Sequence, residues 1–400
     1  MTLTNGPALA GQAATEAQAA RIARIISDYA GQGNHRTGTA VDELSAVWLE
    51  QQISAHGVTP LRDSFPFQRL EVHRAQLLAG DLQLPGVPLY DCHYTDAAGI
   101  SGHLGELGSA AEIGVAMASP FGAGPGHEAI EVARRANRHK AIVLVTDQRL
   151  PAGGVATLNA EAFTEPYGPP VLQVAHDQWP ALQLALQAGT TARLIAHCEY
   201  VAAETINVQA KIAGTDATLA PLVVMTPRSG WWQCASERGG GIAALLEIMA
   251  ALQVHKPARD VLFTLNSGHE LGHTGLDYFL DKQPELVRDA YLWLHLGANF
   301  AASQGAAVRL QYSDAALQSM FAGILGTLVA ANETPIGTRP YGEARNIFDG
   351  GGRFVSILGG NQLFHHPADR WPEAVDLQST QRWVAALVQL SLGVAGKSAG

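Results

Sequence analysis

The sequence predicts an α/β fold, a mostly parallel twisted sheet with helices on both faces, into which a β-rich region is inserted. Three features of the 400-residue chain indicate this. Two amphipathic helical segments begin the chain, short apolar strands separated by turns occupy its middle, and strands alternate with helices from about residue 204 onward. Such alternation is typical of parallel sheets, because their crossover connections are helices.

Residues 1–77 are assigned to the N-terminal part of the main domain. Apolar residues at three- and four-residue spacing predict helices over 14–30 and 40–57. The polar, glycine-rich segment GQGNHRTGT joins them as a loop, and an extended, alternating segment begins at Leu61.

Residues 78–200 are predicted to form the inserted domain. KAIVLVTD, PPVLQVAHD and ARLIAHCEY have strand character and are separated by glycine- and proline-containing turns. Residues 201–400 return to the main domain, where the strands LAPLVVMT, DVLFTLN, AYLWLHLG and RFVSILG alternate with four helices. One of these helices is predicted over 316–332 and the last over 379–395.

The composition is that of an ordinary globular protein, with 47% hydrophobic and 16% charged residues. There is no run of about 18 apolar residues that would span a membrane, and the first residues lack the basic and apolar blocks of a secretory signal. A net charge of −10 argues against nucleic acid and acidic membranes as partners. Cys92, Cys198 and Cys234 have no metal-like spacing and are expected to be free thiols of a cytoplasmic protein.

Polar side chains cluster in four loops that follow predicted strands. In open α/β sheets, sites form beyond the carboxyl ends of the strands, so these loops are expected to build the site. Their chemistry-bearing residues are Arg228, Trp231, Trp232, Glu237, Arg238, His269, Glu270, His273, His295, His365, His366 and Asp369.

Two motif matches occur in the wrong context. HELGH has the spacing of the His-Glu-x-x-His zinc helix. That site needs both histidines on one helix face, whereas here a strand ends just before His269 and Gly272 interrupts the segment. The glycine run before Ile242 lacks the Lys-Ser/Thr ending of a phosphate loop, so we expect it to serve close helix packing.

Four motifs, taken in order, resemble those of the co-catalytic zinc aminopeptidase family, which includes bacterial aminopeptidases, glutamate carboxypeptidase, glutaminyl cyclase and transferrin receptor. NVQAKIAGTD resembles the family's Asn-Val lead-in, and ASERGGGIAALL resembles its Ala-x-Asp-Asn-Gly-Ser-Gly helix start. HELGHTG resembles Glu-Glu-x-Gly-x-x-Gly, and FHHPADRWPEAVD resembles Tyr-His-Thr-Pro-x-Asp-Thr. The resemblance covers nearly the whole chain. The inserted residues resemble the family's protease-associated domain, most clearly in GPPVLQVA.

The resemblance implies that Glu237, Glu270 and His365 are the ligands of a single zinc ion, with a fourth position open to water or substrate. The family's second metal site is rewritten. Its histidine falls at Thr226 and its later aspartate at His295, which is a possible further ligand.

A metal-free network is the alternative to this zinc site. Two buried carboxylates need a compensating cation, and Arg228 and Arg238 could neutralise Glu237 and Glu270 instead of a metal.

The resemblance also suggests which residues move protons and bind substrate. The family's general-base glutamate falls at His269, and histidine can do that work near neutral pH. Arg228 falls where the family has an aspartate, and it or Arg345 is predicted to hold a substrate carboxylate. The predicted substrate-binding residues are Trp231, Trp232, Tyr341, Glu343 and Arg345.

The leading hypothesis is a metal-dependent hydrolase with one zinc ion that cleaves an amide bond in a small, carboxylate-bearing peptide or acyl-amino-acid-like substrate. Two alternatives stay open: a non-catalytic binding protein on the same fold, and a single-metal cyclase or lyase. Retention of Glu237, Glu270 and His365 favours an enzyme. The sequence leaves a homo-oligomer open.

Overall fold

The computed structural model describes residues 6–119, 125–146, 151–305, 307–326 and 332–396. Within these residues the α-helices are α1 (Gly6–Ala30), α2 (Ala40–Ala55), α3 (Pro125–Ala136), α4 (Trp179–Gln187), α5 (Gly239–Val254), α6 (Thr274–Lys282), α7 (Leu286–Asp289), α8 (Ala315–Leu325), α9 (Ala344–Asp349) and α10 (Leu377–Ala395), and short 3-10 helices cover His176–Gln178 and His269–Leu271. The strands are β1 (Pro60–Ala79), β2 (Leu82–Pro85), β3 (Val87–Pro88), β4 (Ile100–Glu106), β5 (Ile113–Ala118), β6 (Ala141–Thr146), β7 (Val171–Val174), β8 (Thr191–Ile212), β9 (Leu222–Pro227), β10 (Val261–Asn266), β11 (Leu292–Leu296), β12 (Arg309–Tyr312), β13 (Asn332–Glu333) and β14 (Phe354–Leu358).

A mixed sheet forms the centre of the main domain. Its strand order is β13-β12-β14-β11-β9-β10-β8. The four middle strands are parallel to one another, whereas β12 is antiparallel to β14 and β8 is antiparallel to β10. This arrangement confirms the predicted α/β fold with a mostly parallel sheet.

Helices cover both faces of this sheet. On one face, α1, α2, α5, α8 and α10 contribute to the largest buried cluster. On the other face, α6, α7 and α9 bury Phe279, Val287 and Ile347 against Trp293 of β11. Burial on both faces explains why the middle strands are apolar along nearly their whole lengths.

Helix α5 lies at the centre of the larger cluster. Its sequence is apolar around most of its circumference, and residues 239–249 are all buried between the sheet and helices α1 and α10. The glycines at its start allow a close approach to the sheet, because a Cβ atom at Gly241 would lie 2.4 Å from Oγ1 of Thr226. The prediction that the glycine run serves helix packing is confirmed.

Two long antiparallel strands join the main domain to the inserted region. β1 and β8 pair from Pro60 with Ala210 to Ala79 with Ala192. At the far end of this ladder, β4 to β7 form parallel pairs and bury their own apolar clusters together with α3 and α4. The predicted boundaries at 78 and 200 fall inside β1 and β8. The division into domains and the likeness to a protease-associated domain remain predictions.

The helix predicted over 316–332 is described only in part. Of the helix predicted over 316–332, α8 accounts for the part up to Leu325, and residues 327–331 lie outside the described residues. None of the described helices combines the length and apolar character that a membrane span requires.

We predict that Gly241→Ala destabilises the protein by about 1–3 kcal/mol, because the added methyl group would overpack the contact with Thr226 and the Leu296 carbonyl oxygen. Urea unfolding of both variants measures the effect. Gly323→Ala in α8 is the matched control, since nothing lies within 4 Å of its Cβ position, and it should stabilise by about 0.5–1 kcal/mol. Equal effects of the two substitutions would contradict the packing role of Gly241.

Candidate functional site

A cavity of about 670 Å³ lies beyond the carboxyl ends of the central strands, between the main domain and the inserted region. Its described lining includes a single carboxylate among several basic side chains. The acidic, basic and histidine residues of the lining are His127, Glu161, His269, His273, His295, Arg309, Arg339, Arg345 and His365. A more open groove of about 730 Å³ lies on the inserted region and is lined by none of the predicted site residues.

Residues 157–161 of the inserted region close one side of the cavity. The backbone N–H of Thr157 donates to the carbonyl oxygen of His365 at 3.3 Å, and Nδ1 of His365 donates to the carbonyl oxygen of Thr157 at 2.8 Å. Glu161 forms an ion pair with Arg345. No sequence motif marks this segment, so its contribution to the cavity was not predicted.

Two of the three predicted metal ligands, Glu237 and His365, lie close together. Nε2 of His365 is 3.5 Å from Oε1 of Glu237, and both side chains are buried. Nη2 of Arg238 lies 2.8 Å from the same oxygen, at an angle too bent for a hydrogen bond. Among the described residues, Nε2 of His365 and both oxygens of Glu237 have no hydrogen-bond partner. The centre of the site is therefore a compact ion pair beside a neutral imidazole.

The third predicted ligand, Glu270, binds the N-terminal loop instead. Its Oε1 accepts hydrogen bonds from the backbone N–H and the hydroxyl of Thr37, at 2.9 and 2.8 Å. Its Oε2 accepts from the hydroxyl of Ser229 at 2.7 Å. Burial raises the pKa of Glu270, and these three donors oppose that effect. Glu270 therefore attaches the GQGNHRTGT loop to the site.

Arg228 holds the fold together and does not reach the cavity, which corrects its predicted catalytic role. Its Nε and Nη2 donate to the carbonyl oxygen of Ile206, and its Nη1 donates to that of Asp42 at 2.9 Å. Nη2 also lies 3.0 Å from Oδ1 of Asp42, and both side chains are buried. With its donors used on the backbone and one carboxylate, Arg228 cannot hold a substrate carboxylate here.

The two tryptophans also lie outside the described cavity wall, contrary to prediction. Nε1 of Trp231 donates to Oδ1 of Asn159, and its ring packs edge-on against Tyr90 of the inserted region. Nε1 of Trp232 donates to the carbonyl oxygen of His365 at 2.7 Å. Both side chains therefore position the loops around the cavity.

His365 is held in an unusual backbone conformation. Its φ of 57° lies in the left-handed region, which non-glycine residues seldom adopt. The carbonyl oxygen of His365 accepts from both Thr157 and Trp232. Cys234, His273 and Asn299, in neighbouring loops, also have positive φ.

Glu343 lies beneath the cavity, where it supports His269 instead of lining the wall as predicted. Its Oε1 is 3.3 Å from Nδ1 of His269, and its Oε2 accepts from the amide of Asn266 at 3.2 Å. Burial raises the pKa of Glu343 to about 8. Burial, and then the charge of Arg238, lower the pKa of His269 well below its usual range. Near pH 7 the contact is therefore a hydrogen bond between neutral groups, and Nε2 of His269 is left for the cavity.

The structure places Tyr341, Arg345 and His295 in the cavity wall. Tyr341 is 56% exposed, and the guanidinium of Arg309 stacks over its ring at 5.3 Å. Nδ1 of His295 contacts the hydroxyl of Ser356 at 2.8 Å. Arg309 lies in a segment without a motif, so the sequence did not signal it. The substrate-binding roles of these residues remain predictions.

Comparison with solved structures identifies the architecture. BSAP, a zinc aminopeptidase from Bacillus subtilis, is 15% identical over 96% of this chain and 95% of its own, with a TM-score of 0.74. A peptidase M28 precursor from Shewanella amazonensis gives 14% identity, 97% coverage of both chains and a TM-score of 0.76. An aminopeptidase from Aneurinibacillus sp. strain AM-1 gives 15% identity, 95% and 94% coverage and a TM-score of 0.68. This chain has the zinc aminopeptidase fold.

The likeness to these aminopeptidases is one of fold, because sequence identity is low. No protein-family model matches the chain, and no curated protein matches it. The likeness therefore assigns no role to individual residues of the site.

The donor set does not fit the zinc ion that the aminopeptidase fold implies. The guanidinium of Arg238 already contacts Glu237, and both oxygens of Glu270 are engaged by Thr37 and Ser229. Across the described ranges, no three His, Cys, Asp or Glu side chains are grouped so as to hold a metal ion. At the position that the resemblance assigns to a histidine ligand of a second metal, Thr226 donates its hydroxyl to the carbonyl oxygen of Leu296.

The buried Glu343 predicts a pH-dependent stability. Its pKa rises from 4.5 to about 8 on folding, so between these values the folded protein binds a proton that the unfolded chain has lost. Glu343 should therefore contribute a loss of stability of about 1.4 kcal/mol for each pH unit in this window, and no further loss above it.

Glu343→Gln, which imitates the protonated acid, should remove this slope. Urea unfolding at several values between pH 5 and pH 8 would then show the variant gaining on the wild type as pH rises. Glu373→Gln, at an exposed position, is the control and should follow the wild type. Parallel curves for Glu343→Gln and wild type would contradict the assignment.

Proposed function

We propose that the protein is a hydrolase that cleaves an amide bond in a small, carboxylate-bearing peptide or acyl-amino-acid-like molecule. One observation carries this: His269, backed by the buried Glu343, faces a cavity whose wall also contains Arg309, Arg339 and Arg345. The aminopeptidase fold supports the same reaction class, by analogy of fold.

The charge of the cavity wall supports an anionic substrate. Its described lining contains three arginines and one carboxylate, Glu161. Arg339 is paired with Asp349 outside the wall, and Arg345 is paired with Glu161. Arg345 is better placed than Arg339 to bind a substrate carboxylate, because its ion pair lies at the cavity. Its planar guanidinium can bind a carboxylate through two hydrogen bonds.

His269 supplies the proton transfers in this proposal. When Nδ1 donates to an oxygen of the neutral Glu343 carboxyl group, the lone pair of Nε2 faces the cavity and can accept a proton from water. The water oxygen then bonds to the substrate carbonyl carbon. When the C–N bond breaks, the same nitrogen returns the proton to the leaving amine. No step in this scheme uses a metal ion, since the donor set does not fit one.

A second candidate is a non-catalytic binding protein with the same anionic ligand. The specific observation in its favour is that Arg238 and Thr37 engage the carboxylates that the resemblance assigns to zinc. A cyclase or lyase reaction stays a weaker alternative, because no contact in the site favours it. Cytoplasmic location and a homo-oligomer stay predictions.

The test is a screen of dipeptides and N-acyl amino acids, with products identified by mass spectrometry, in the presence and absence of a chelator. His269→Asn should lower kcat by about 100- to 10,000-fold through loss of the proton-transfer group. Arg345→Gln should raise KM by about 10- to 100-fold for substrates with a free carboxylate and leave KM for their amides unchanged.

Arg62→Gln is the control, because Arg62 is paired with Glu43 and Glu50 on the surface, away from the cavity. Binding without turnover, weakened by Arg345→Gln, would favour the binding protein over the hydrolase. Products lacking the added water would favour the cyclase or lyase.

A further inference from the structure

Two adjacent, oppositely charged residues are buried at the centre of the site. Glu237 and Arg238 are each 1% exposed and follow one another just before α5. A buried charge without a partner is strongly destabilising, and here each of the two side chains compensates the charge of the other.

Hydrogen bonds hold the guanidinium of Arg238 and the backbone of Glu237 in position. Nε of Arg238 donates to the carbonyl oxygen of Ser229 at 2.7 Å, which directs the guanidinium toward Glu237. The backbone N–H of Glu237 donates to Oδ2 of Asp369, and Oδ1 of Asp369 accepts from Ser236. The guanidinium and the backbone that carries the carboxylate are therefore both anchored inside the protein, away from flexible surface chains.

A guanidinium and a divalent cation would compete for the same carboxylate. Arginine keeps its charge at every accessible pH, and two cations a few ångströms apart in a buried site repel strongly. The motif that resembles Ala-x-Asp-Asn-Gly-Ser-Gly has glutamate and arginine here in place of aspartate and asparagine. The longer acid and the cation thus occupy neighbouring positions of the same motif.

We infer that Arg238 is the resident cation of this site and takes the place of the metal ion beside Glu237. The remaining predicted ligands agree with this assignment. Glu270 accepts three hydrogen bonds from Thr37 and Ser229, and Nε2 of His365 lies 3.5 Å from Oε1 of Glu237. The inference concerns the cation alone and holds whether the bound molecule is hydrolysed or only held.

The test compares zinc binding and thermal unfolding of the full chain and its variants, without any activity measurement. After incubation with zinc sulfate and desalting, the wild type should retain less than about 0.1 zinc per chain. Its Tm should not change with zinc or with a chelator.

Arg238→Asn should lower the Tm by about 5–10 °C, because Glu237 is left buried without its cation. Zinc should restore much of this loss, with about one ion bound per chain. The recovery should disappear in Arg238→Asn/His365→Ala, which removes the imidazole beside Glu237. Arg62→Asn, which breaks a surface ion pair, should change the Tm by less than about 2 °C and should not respond to zinc.

If Arg238→Asn does not fold, the double variant Glu237→Gln/Arg238→Gln is used in its place. With both charges removed, this variant should fold with a Tm near that of the wild type and should not respond to zinc. About one zinc retained by the wild type and lost in Glu237→Gln would overturn the inference. An unchanged Tm in Arg238→Asn would overturn it too, since Arg238 would then not neutralise Glu237.

Discussion

The antiparallel ladder between β1 and β8 is the constraint on which the site depends. One end of β8 pairs with β10 in the central sheet, and the other end pairs with β4 in the inserted region. The single continuous strand β8 therefore belongs to both the central sheet and the inserted region. The backbone hydrogen bonds between β1 and β8 fix the distance between these two parts. Because of this, residues 157–161 meet the loops that follow β10 and β14, and the cavity is enclosed by two parts of the chain that are distant in sequence.

The fold could be predicted from the sequence because its signals are local. The periodicity of α10 and the apolar strands β9 to β11 are each visible within a short window. The site was predicted less well, since its contacts join distant segments. Arg228 and Arg238 lie in the same loop and looked interchangeable, but Arg228 meets Asp42, which lies 186 residues earlier. Thr157 comes from the inserted region, and nothing in its neighbourhood marks it as a partner of His365. The burial of the Glu343 side chain depends on how α9 packs, and no sequence pattern in the loop before α9 reveals this packing.

Buried charge in this protein is balanced locally. Asp42 is paired with Arg228, Glu237 with Arg238 and Asp91 with Arg134, all among buried side chains. Glu270 has hydrogen-bond donors in place of a cation. Although the chain carries a net charge of −10, the cavity wall has a basic surplus, because its arginines are only partly matched by carboxylates. The overall charge of the chain is thus a poor guide to the ligand that its cavity would attract.

The two hydrogen bonds between Thr157 and His365 restrict how the cavity can exchange its contents. Lifting the inserted region would break both bonds and release a histidine backbone that is kept at φ 57°. A ligand that entered by that movement would meet a site in which both hydrogen bonds to His365 are broken. The rim formed by Tyr341 and Arg339 is different, because both side chains are more than half exposed and neither holds His365. A ligand that passes through that rim leaves the geometry around His365 unchanged. The inserted region can therefore stay in place while ligands enter and leave the cavity.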